Sequence, residues 1–522
     1  MNQGQSRALT TFNHYRKIGQ TPAFPLVLTA VFLVVGGLGA IHHEMWRDEI
    51  QAWLLARDST GPIDLLSHMK YEGHPPLWHL LLMPLTRITH APASMQILHL
   101  LIAATTVFLF AKYSPFTPLQ KILFSFGYFV LYEYGIVCRN YGIGFLLICI
   151  FCILFRNRYQ RIILISISLF LTSHTSVHAL ILTICITIGL GFEYIFKRKQ
   201  LIDSGNTIHR KIWIGFSIMW IGILTAILQL NPPPDTGFAV GWKTNFDLSH
   251  LKNVIKIITR AYFPIPKNQM HFWGSRWIEQ FPIIQNWNLG ISIAIFIWTI
   301  ALLLRKPTAL FIYTSAMLGL LVFFYTKYFG GIRHHGFLFI AFLMAAWISN
   351  DCDQTLFLKP LNILCNWLEK SLPPILTLIL VAHASGGIRA VRLDKEHVFS
   401  HGKQTAQYII GRSMNFMPII GDMDYAVSTV VGYLENPQQI HYMRGHRPGS
   451  FVRWDNKRHN GISDEQVIQK AKNLEKDQVL IILNRGLPDL LAKQNGIKKI
   501  SQFTNSTIGD EGFYLYLLET SP

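Results

Sequence analysis

Charge is scarce in this 522-residue chain. Asp, Glu, Lys and Arg make up only 15% of it, 50% is hydrophobic, and mean hydropathy is +0.29. That balance is too apolar for an ordinary soluble enzyme of this length. Acidic residues are scarcer still, 29 against 47 Lys and Arg, for a net charge of +18. In a soluble protein such an excess suggests nucleic acid, but no RNP-like aromatic-basic motif is present, so no nucleic-acid partner is expected. Only six cysteines occur: Cys138, Cys149, Cys152, Cys185, Cys352 and Cys365. Their spacing fits neither a disulfide framework nor a zinc site, and Cys149 and Cys152 lie in an apolar run where packing explains them. Internal repeats and low-complexity tracts are also missing.

What the chain has in abundance is apolar runs of bilayer-crossing length. They fall near 24–41, 95–111, 120–136, 141–155, 162–175, 177–196, 212–230, 286–304, 308–325, 335–349 and 372–388, about eleven spans in all. Arg7, Arg16 and Lys17 precede the first run, which reads as a retained signal-anchor because so many spans follow. Basic residues gather in alternate gaps: Lys112 and Lys121, Arg156 to Arg161, Lys197 to Lys211, Arg305 and Lys306. By the positive-inside bias these gaps are cytoplasmic, which accounts for the net charge and turns the other gaps outward.

The chain divides in two. Residues 1–388 form the membrane part, interrupted by outward insertions at 42–92 and 231–284; the second is long enough to be a functional loop or lid. Residues 389–522 alternate short β-rich runs (417–421, 439–443, 478–483, 512–518) with amphipathic helical stretches (403–411, 425–434, 463–475). That pattern predicts a small α/β domain outside the membrane.

The outward segments hold the chemistry. After the first span, Trp46, Ile50, Trp53 and Leu54 follow helical spacing from Met45 to Arg57. They predict an interfacial helix with its Trp side chains at the headgroups and Asp48 and Glu49 turned from lipid; Glu44, four residues before Asp48, shares its face. A second interfacial helix follows Pro75-Pro76, preceded by Glu72 and His74. Arg139, the pair His174 and His178, and Arg333-His334-His335 all fall at outward span ends. Positive-inside bias predicts the opposite placement for the two arginines. Ionisable groups at that depth are functional candidates, and arginines with histidines and carboxylates suit a phosphate-bearing ligand and acid/base work.

The ordered motifs "WRDEI", "EGHPPLW", "EYGIVCRNYG", "SHTSVHALIL" and "RHHGFLF" resemble those of the GT-C membrane glycosyltransferases, among them protein O-mannosyltransferases and the aminoarabinose transferase acting on lipid A. The resemblance covers about the first 350 residues; it departs at Asn140–Gly142, where an Asp is often found, and at His74, where some members carry Lys. It implies a polytopic α-helical, GT-C-like fold for the membrane part, in a bacterial plasma membrane with the active site facing outward; the extracytoplasmic C-terminal α/β domain lies beyond the resemblance and is not diagnostic of it. The resemblance also implies transfer of a sugar from a polyprenyl-phosphate donor to an extracytoplasmic lipid, glycan or protein acceptor, with inversion. Asp48 is then the base and Glu49 orients it or the acceptor. Arg139, Arg333 and His334 bind the donor phosphate. Glu72, His74 and His174 either complete the pocket or hold a divalent ion. The rival readings are another lipid-linked glycan enzyme, such as an O-antigen-ligase-like protein, and a transporter or scaffold.

Overall fold

The computed structural model describes residues 21–203, 206–237, 241–435, 439–445, 449–459 and 461–519. Arg7, Arg16 and Lys17 lie outside them. Among the described residues eight helices are long and apolar enough to cross a membrane: Ala23–His42, Ala93–Tyr113, Val177–Lys199, Thr207–Leu230, Pro282–Leu303, Pro307–Thr326, Ile332–Asp351 and Lys359–Glu396. Two shorter apolar helices, Tyr141–Phe155 and Ile162–Ser173, fall on two of the three remaining expected spans, and a third, Leu77–Ile88, is the helix expected after Pro75-Pro76. The outer helices leave large apolar side chains bare: Leu26, Val34 and Ile41 on the first, Trp213, Leu224 and Leu228 on the fourth. Continuous bare apolar faces of that kind suit lipid rather than water. Ile332–Asp351 sits at the centre and is buried on nearly all sides.

One expected span differs. The run 120–136 is not a single helix. It forms Pro118–Ser125, turns at Phe126–Gly127, and continues as a π-helical segment, Tyr128–Ile136. A Cβ on Gly127 would come within 3.0 Å of the Phe124 carbonyl and 3.2 Å of His383, so the turn packs where a larger residue does not fit. The last span is longer than its apolar core, since Lys359–Glu396 runs on past residue 388.

The two ends of the bundle differ in chemistry. At one end Arg158 pairs with Glu193 (2.6 Å), Lys197 with Glu193 (3.0 Å) and Asp353 (2.6 Å), and Arg305 with Glu369. The basic gaps at 156–161, 197–199 and 305–306 thus share one end. At the other end both insertions meet the C-terminal residues. Gln51 exchanges hydrogen bonds with the backbone of Val452, Ser450 donates to Asp58 (2.6 Å), and His271 bonds the Thr507 carbonyl (2.9 Å).

The C-terminal residues form a five-stranded sheet: β1 (Ile419–Gly421), β2 (Ile440–Tyr442), β3 (Gln478–Leu483), β4 (Ile497–Phe503) and β5 (Phe513–Glu519), in the order β2-β1-β3-β5-β4. β1 is parallel to both β2 and β3, whereas β5 is antiparallel to β3 and β4. The protein is therefore a polytopic helical membrane protein carrying a small α/β unit. β4 lacks an alternating signature because it is an edge strand with Lys498 and Lys499 exposed, the charge that guards an edge against further pairing.

The helix expected at the membrane surface forms as Arg47–Asp58, but it does not lie on lipid. Ile50, Trp53 and Leu54 are fully buried in a cluster with Val427, Val430 and Ile440 of the C-terminal unit. A Cβ on Gly432 would stand 2.4 Å from Ile50 Cγ2, so the two surfaces meet almost backbone to side chain. An apolar helical stripe specifies burial, not what covers it, and here protein takes the place expected for headgroups.

Candidate functional site

The helix Arg47–Asp58 starts where it does because its third residue closes it. The Glu49 carboxylate accepts from the Trp46 N–H (3.1 Å) and reaches the Cys138 N–H (2.6 Å). It also meets His43 Nε2 at 3.0 Å, and His43 Nδ1 lies 2.8 Å from Asp394. Burial pushes His43 down, but Asp394 and Glu49 outweigh it and hold the imidazole well above its ordinary value. Glu49 thus pins the first turn to two other elements from behind, and it is absent from the cavity wall. Glu44 also misses the cavity. It precedes the helix, so its four-residue spacing from Asp48 sets no shared face, and burial raises it to about 7 against the pull of Lys403 and Gln404.

Asp48 projects the other way, into a cavity of about 730 Å³ between the bundle and the C-terminal unit. Two arginines converge on its Oδ2: Arg333 Nη2 at 3.4 Å and Arg139 Nη2 at 3.5 Å. Arg139 Nη1 also donates to the Asp48 carbonyl (2.5 Å), tying the guanidinium to the same turn. Arg333 opens the central helix after Gly330, whose φ of +74° is left-handed and favours glycine. Its guanidinium lies 5.4 Å from the Trp46 ring centre and 5.0 Å from that of Trp273, within cation–π range of both rings of an edge-packed pair. Nε of both arginines is buried without an acceptor among the described residues.

Around this trio the wall is polar at one end and apolar at the other. Glu72 receives Gln51 Nε2 (2.7 Å). Burial raises its carboxyl to about 7, with the charge of Asp48 adding to the rise while Gln51 and Arg139 oppose it. His74 stands 3.3 Å from Arg139 Nη2; burial first and then Arg139 push it well below its ordinary value, so the neutral ring accepts. His334 Nδ1 accepts from the Gly331 N–H (2.8 Å) and its Nε2 meets the Tyr141 hydroxyl (2.9 Å). Val177, Ile181, Ile227, Leu228 and Leu230 make the apolar end.

The residues picked from sequence therefore separate. Asp48, Glu72, His74, Arg139, Arg333 and His334 share the cavity, while Glu49 and His174 do not. His174 bonds the Phe170 carbonyl (2.9 Å) and the Thr225 hydroxyl (3.1 Å), and its own carbonyl accepts from the Leu77 N–H (3.0 Å), which anchors the Pro75-Pro76 turn. The trio Glu72, His74 and His174 is thus not assembled, and no group of three His, Cys, Asp or Glu side chains with metal-binding proximity occurs among the described residues. His178 takes the place expected of His174. It lies in the first turn of its helix, 4.9 Å from the His334 ring, with both ring nitrogens buried and unpartnered among the described residues.

Sequence reasoning missed the opposite wall. Tyr425, Ser428, Val452 and Trp454 of the C-terminal unit line the cavity, as does Trp242 of the second insertion, over which Lys327 lies at 4.9 Å. A relay holds this wall in place: Arg453 donates to the Tyr71 hydroxyl (2.6 Å), which donates to Asp235 (2.9 Å). Arg47, next to Asp48, pairs with Asp510 (2.6 Å). No local pattern marks these residues; only the docking of distant segments brings them to the cavity.

No family model and no curated protein matches the sequence. Among solved structures, the chain is similar to ArnT from Cupriavidus metallidurans bound to undecaprenyl phosphate. The two share 11% identity over 95% of this chain and 98% of that one, with a TM-score of 0.49.

Proposed function

We propose that this protein is a GT-C-type inverting glycosyltransferase that moves a sugar from a polyprenyl-phosphate donor to an acceptor on the outward face of a bacterial plasma membrane. One observation carries the reading: a carboxylate shared by two arginines on the wall of a cavity that is charged at one end and apolar at the other. A lipid phosphate has the same division, and guanidinium forks suit its oxygens.

In this reading the donor phosphate takes up Arg139 and Arg333, competing with Asp48 Oδ2 for them. Oδ1 has no hydrogen-bond partner among the described residues and is left to act as base. The acceptor hydroxyl or amine attacks the anomeric carbon from the face opposite the phosphate. The bond from that carbon to the phosphate oxygen breaks, its electron pair leaves with the lipid phosphate, and the acceptor proton passes to Asp48. Configuration inverts, and the two arginines hold the phosphate charge that develops. His74, neutral beside Arg139, and His178, with both nitrogens unpartnered among the described residues, face the donor headgroup. The aromatic wall of Trp242, Tyr425 and Trp454 faces the acceptor.

The test is purified protein in nanodiscs with a panel of polyprenyl-phosphate sugars and a membrane extract as acceptor source. Mass spectrometry should find free polyprenyl phosphate and a glycosylated product rising together. If no donor in the panel is consumed while the protein stays folded, the reading fails.

A further inference from the structure

A second pocket lies beside the cavity, on the far side of the turn that carries Arg333. Tyr328 lines the cavity, and its neighbour Phe329 lines this pocket of about 340 Å³. The remaining wall comes from the second insertion: His250, Asn253, Lys256, Ile257, Arg260 and Arg276. Three fixed positive charges therefore face one small space, and the nearby carboxylate is Glu279, which pairs with Arg276 and stands 3.9 Å from Lys267. Arg260 donates to the Gly274 carbonyl at 3.3 Å. Nε of Arg260 and Nε of Arg276 are both buried and have no acceptor among the described residues, and Lys256 makes no ion pair among them. Burial and the charge of Arg276 push Arg260 down to about 10 against the pull of Glu279, so it remains cationic at neutral pH.

Like charges are not crowded into a pocket with idle donors unless an anion completes the set. We infer that the Arg260–Arg276 pocket is an anion site for the phosphate headgroup of a membrane lipid, separate from the Asp48 cavity. Its position selects lipid over soluble phosphate. The insertion packs against Pro282–Leu303, where Thr259 bonds the Asn288 carbonyl, and against the end of Pro307–Thr326, where it bonds Tyr325 and Thr326. Phe246, Leu248, Ile283 and Trp287 stand bare around it, as side chains at the edge of a bilayer do. A headgroup held there has its chains beside that apolar rim. Lys256 and the two arginines meet its oxygens, and the Phe329 face of the Arg333 turn is covered.

The site is tested with a fluorescent phosphatidic acid and its phosphatidylcholine counterpart, titrated into the detergent-solubilised full chain. The Arg333→Ala background weakens any contribution from the cavity. Phosphatidic acid should bind at least about tenfold more tightly than phosphatidylcholine. Arg260→Gln with Arg276→Gln should remove about tenfold, Lys256→Ala about threefold, and Arg260→Lys should keep most of the affinity. Lys256→Ala decides the matter if the double variant does not fold. Equal binding of the two lipids, or unchanged binding in the folded variants, overturns the site. Displacement by inorganic phosphate at concentrations matching phosphatidic acid overturns its assignment to a lipid. Failure here leaves glycosyl transfer untouched, since that reaction is read from donor consumption.

Discussion

Arg333 shows how much a single side chain's setting decides. An arginine at a helix end ordinarily snorkels to water, but this one lies against the edge-packed pair Trp46 and Trp273 and is aimed at Asp48. Arg333→Ala should weaken donor binding by about 1.5–3 kcal/mol, the loss of one charge-assisted contact. Arg333→Lys should recover only part, having neither fork nor stacking plane. Donor-lipid titration in nanodiscs checks both, and unchanged affinity in Arg333→Ala returns the residue to a packing role. Glu72 gives a pH signature. Its folded-state pKa, about 7, lies above that of an exposed glutamate, so the folded protein holds a proton the unfolded chain has released. This contribution to stability is present at low pH and is lost as pH rises toward and through 7. Glu72→Gln should therefore raise the melting temperature more at pH 8 than at pH 5, and should flatten any loss of donor affinity above pH 7. An equal shift at both pH values counts against a raised pKa. Arg139 and Arg333 were legible in the sequence because both defy the positive-inside bias, and Asp48 because it falls on the non-lipid side of the first outward helix. Glu49 and Asp48, adjacent in sequence, were not separable, because a helix turns them about 100° apart and only the packing says which side faces the cavity.

Among the elements, the helix Arg47–Asp58 carries Asp48 on one side and packs the C-terminal unit on the other. Its periodicity was readable; its partner was not, since lipid and protein call for the same stripe. The contact at Gly432 and Ile50 tests the docking. Gly432→Ala should destabilise by about 1–3 kcal/mol through overpacking, and Ile50→Ala in the same chain should return part of that loss by vacating the space. Thermal unfolding of the two single variants and the double one gives the coupling, and purely additive effects would mean that the two surfaces do not meet as described. The same limit explains the π-helical Tyr128–Ile136: hydropathy reports an apolar run but not the turn inside it.

For the whole molecule, charge alternation along the sequence and the segregation of its two ends in space agree. Arg158, Lys197, Arg305 and their carboxylate partners gather at one end, and the cavity, both insertions and the sheet at the other. All six native cysteines are buried, so introduced thiols report cleanly. Thiols at Thr244 and Leu490, both exposed, should react with an impermeant reagent added from outside intact cells, and one at the exposed Asn157 should not. Labelling at Asn157 would reverse the orientation and place the cavity in the cytoplasm.

The central claim is that Asp48 takes the acceptor proton while the arginines hold the phosphate. Its most direct measurement is turnover and donor affinity for Asp48→Asn side by side in one nanodisc preparation. Asparagine keeps the shape but cannot accept the proton. Turnover should fall by about a hundredfold or more, the usual effect of losing a general base. Donor affinity should hold or rise, because the arginines lose a competitor for the phosphate. A folded Asp48→Asn protein that turns over at nearly the native rate would contradict the account.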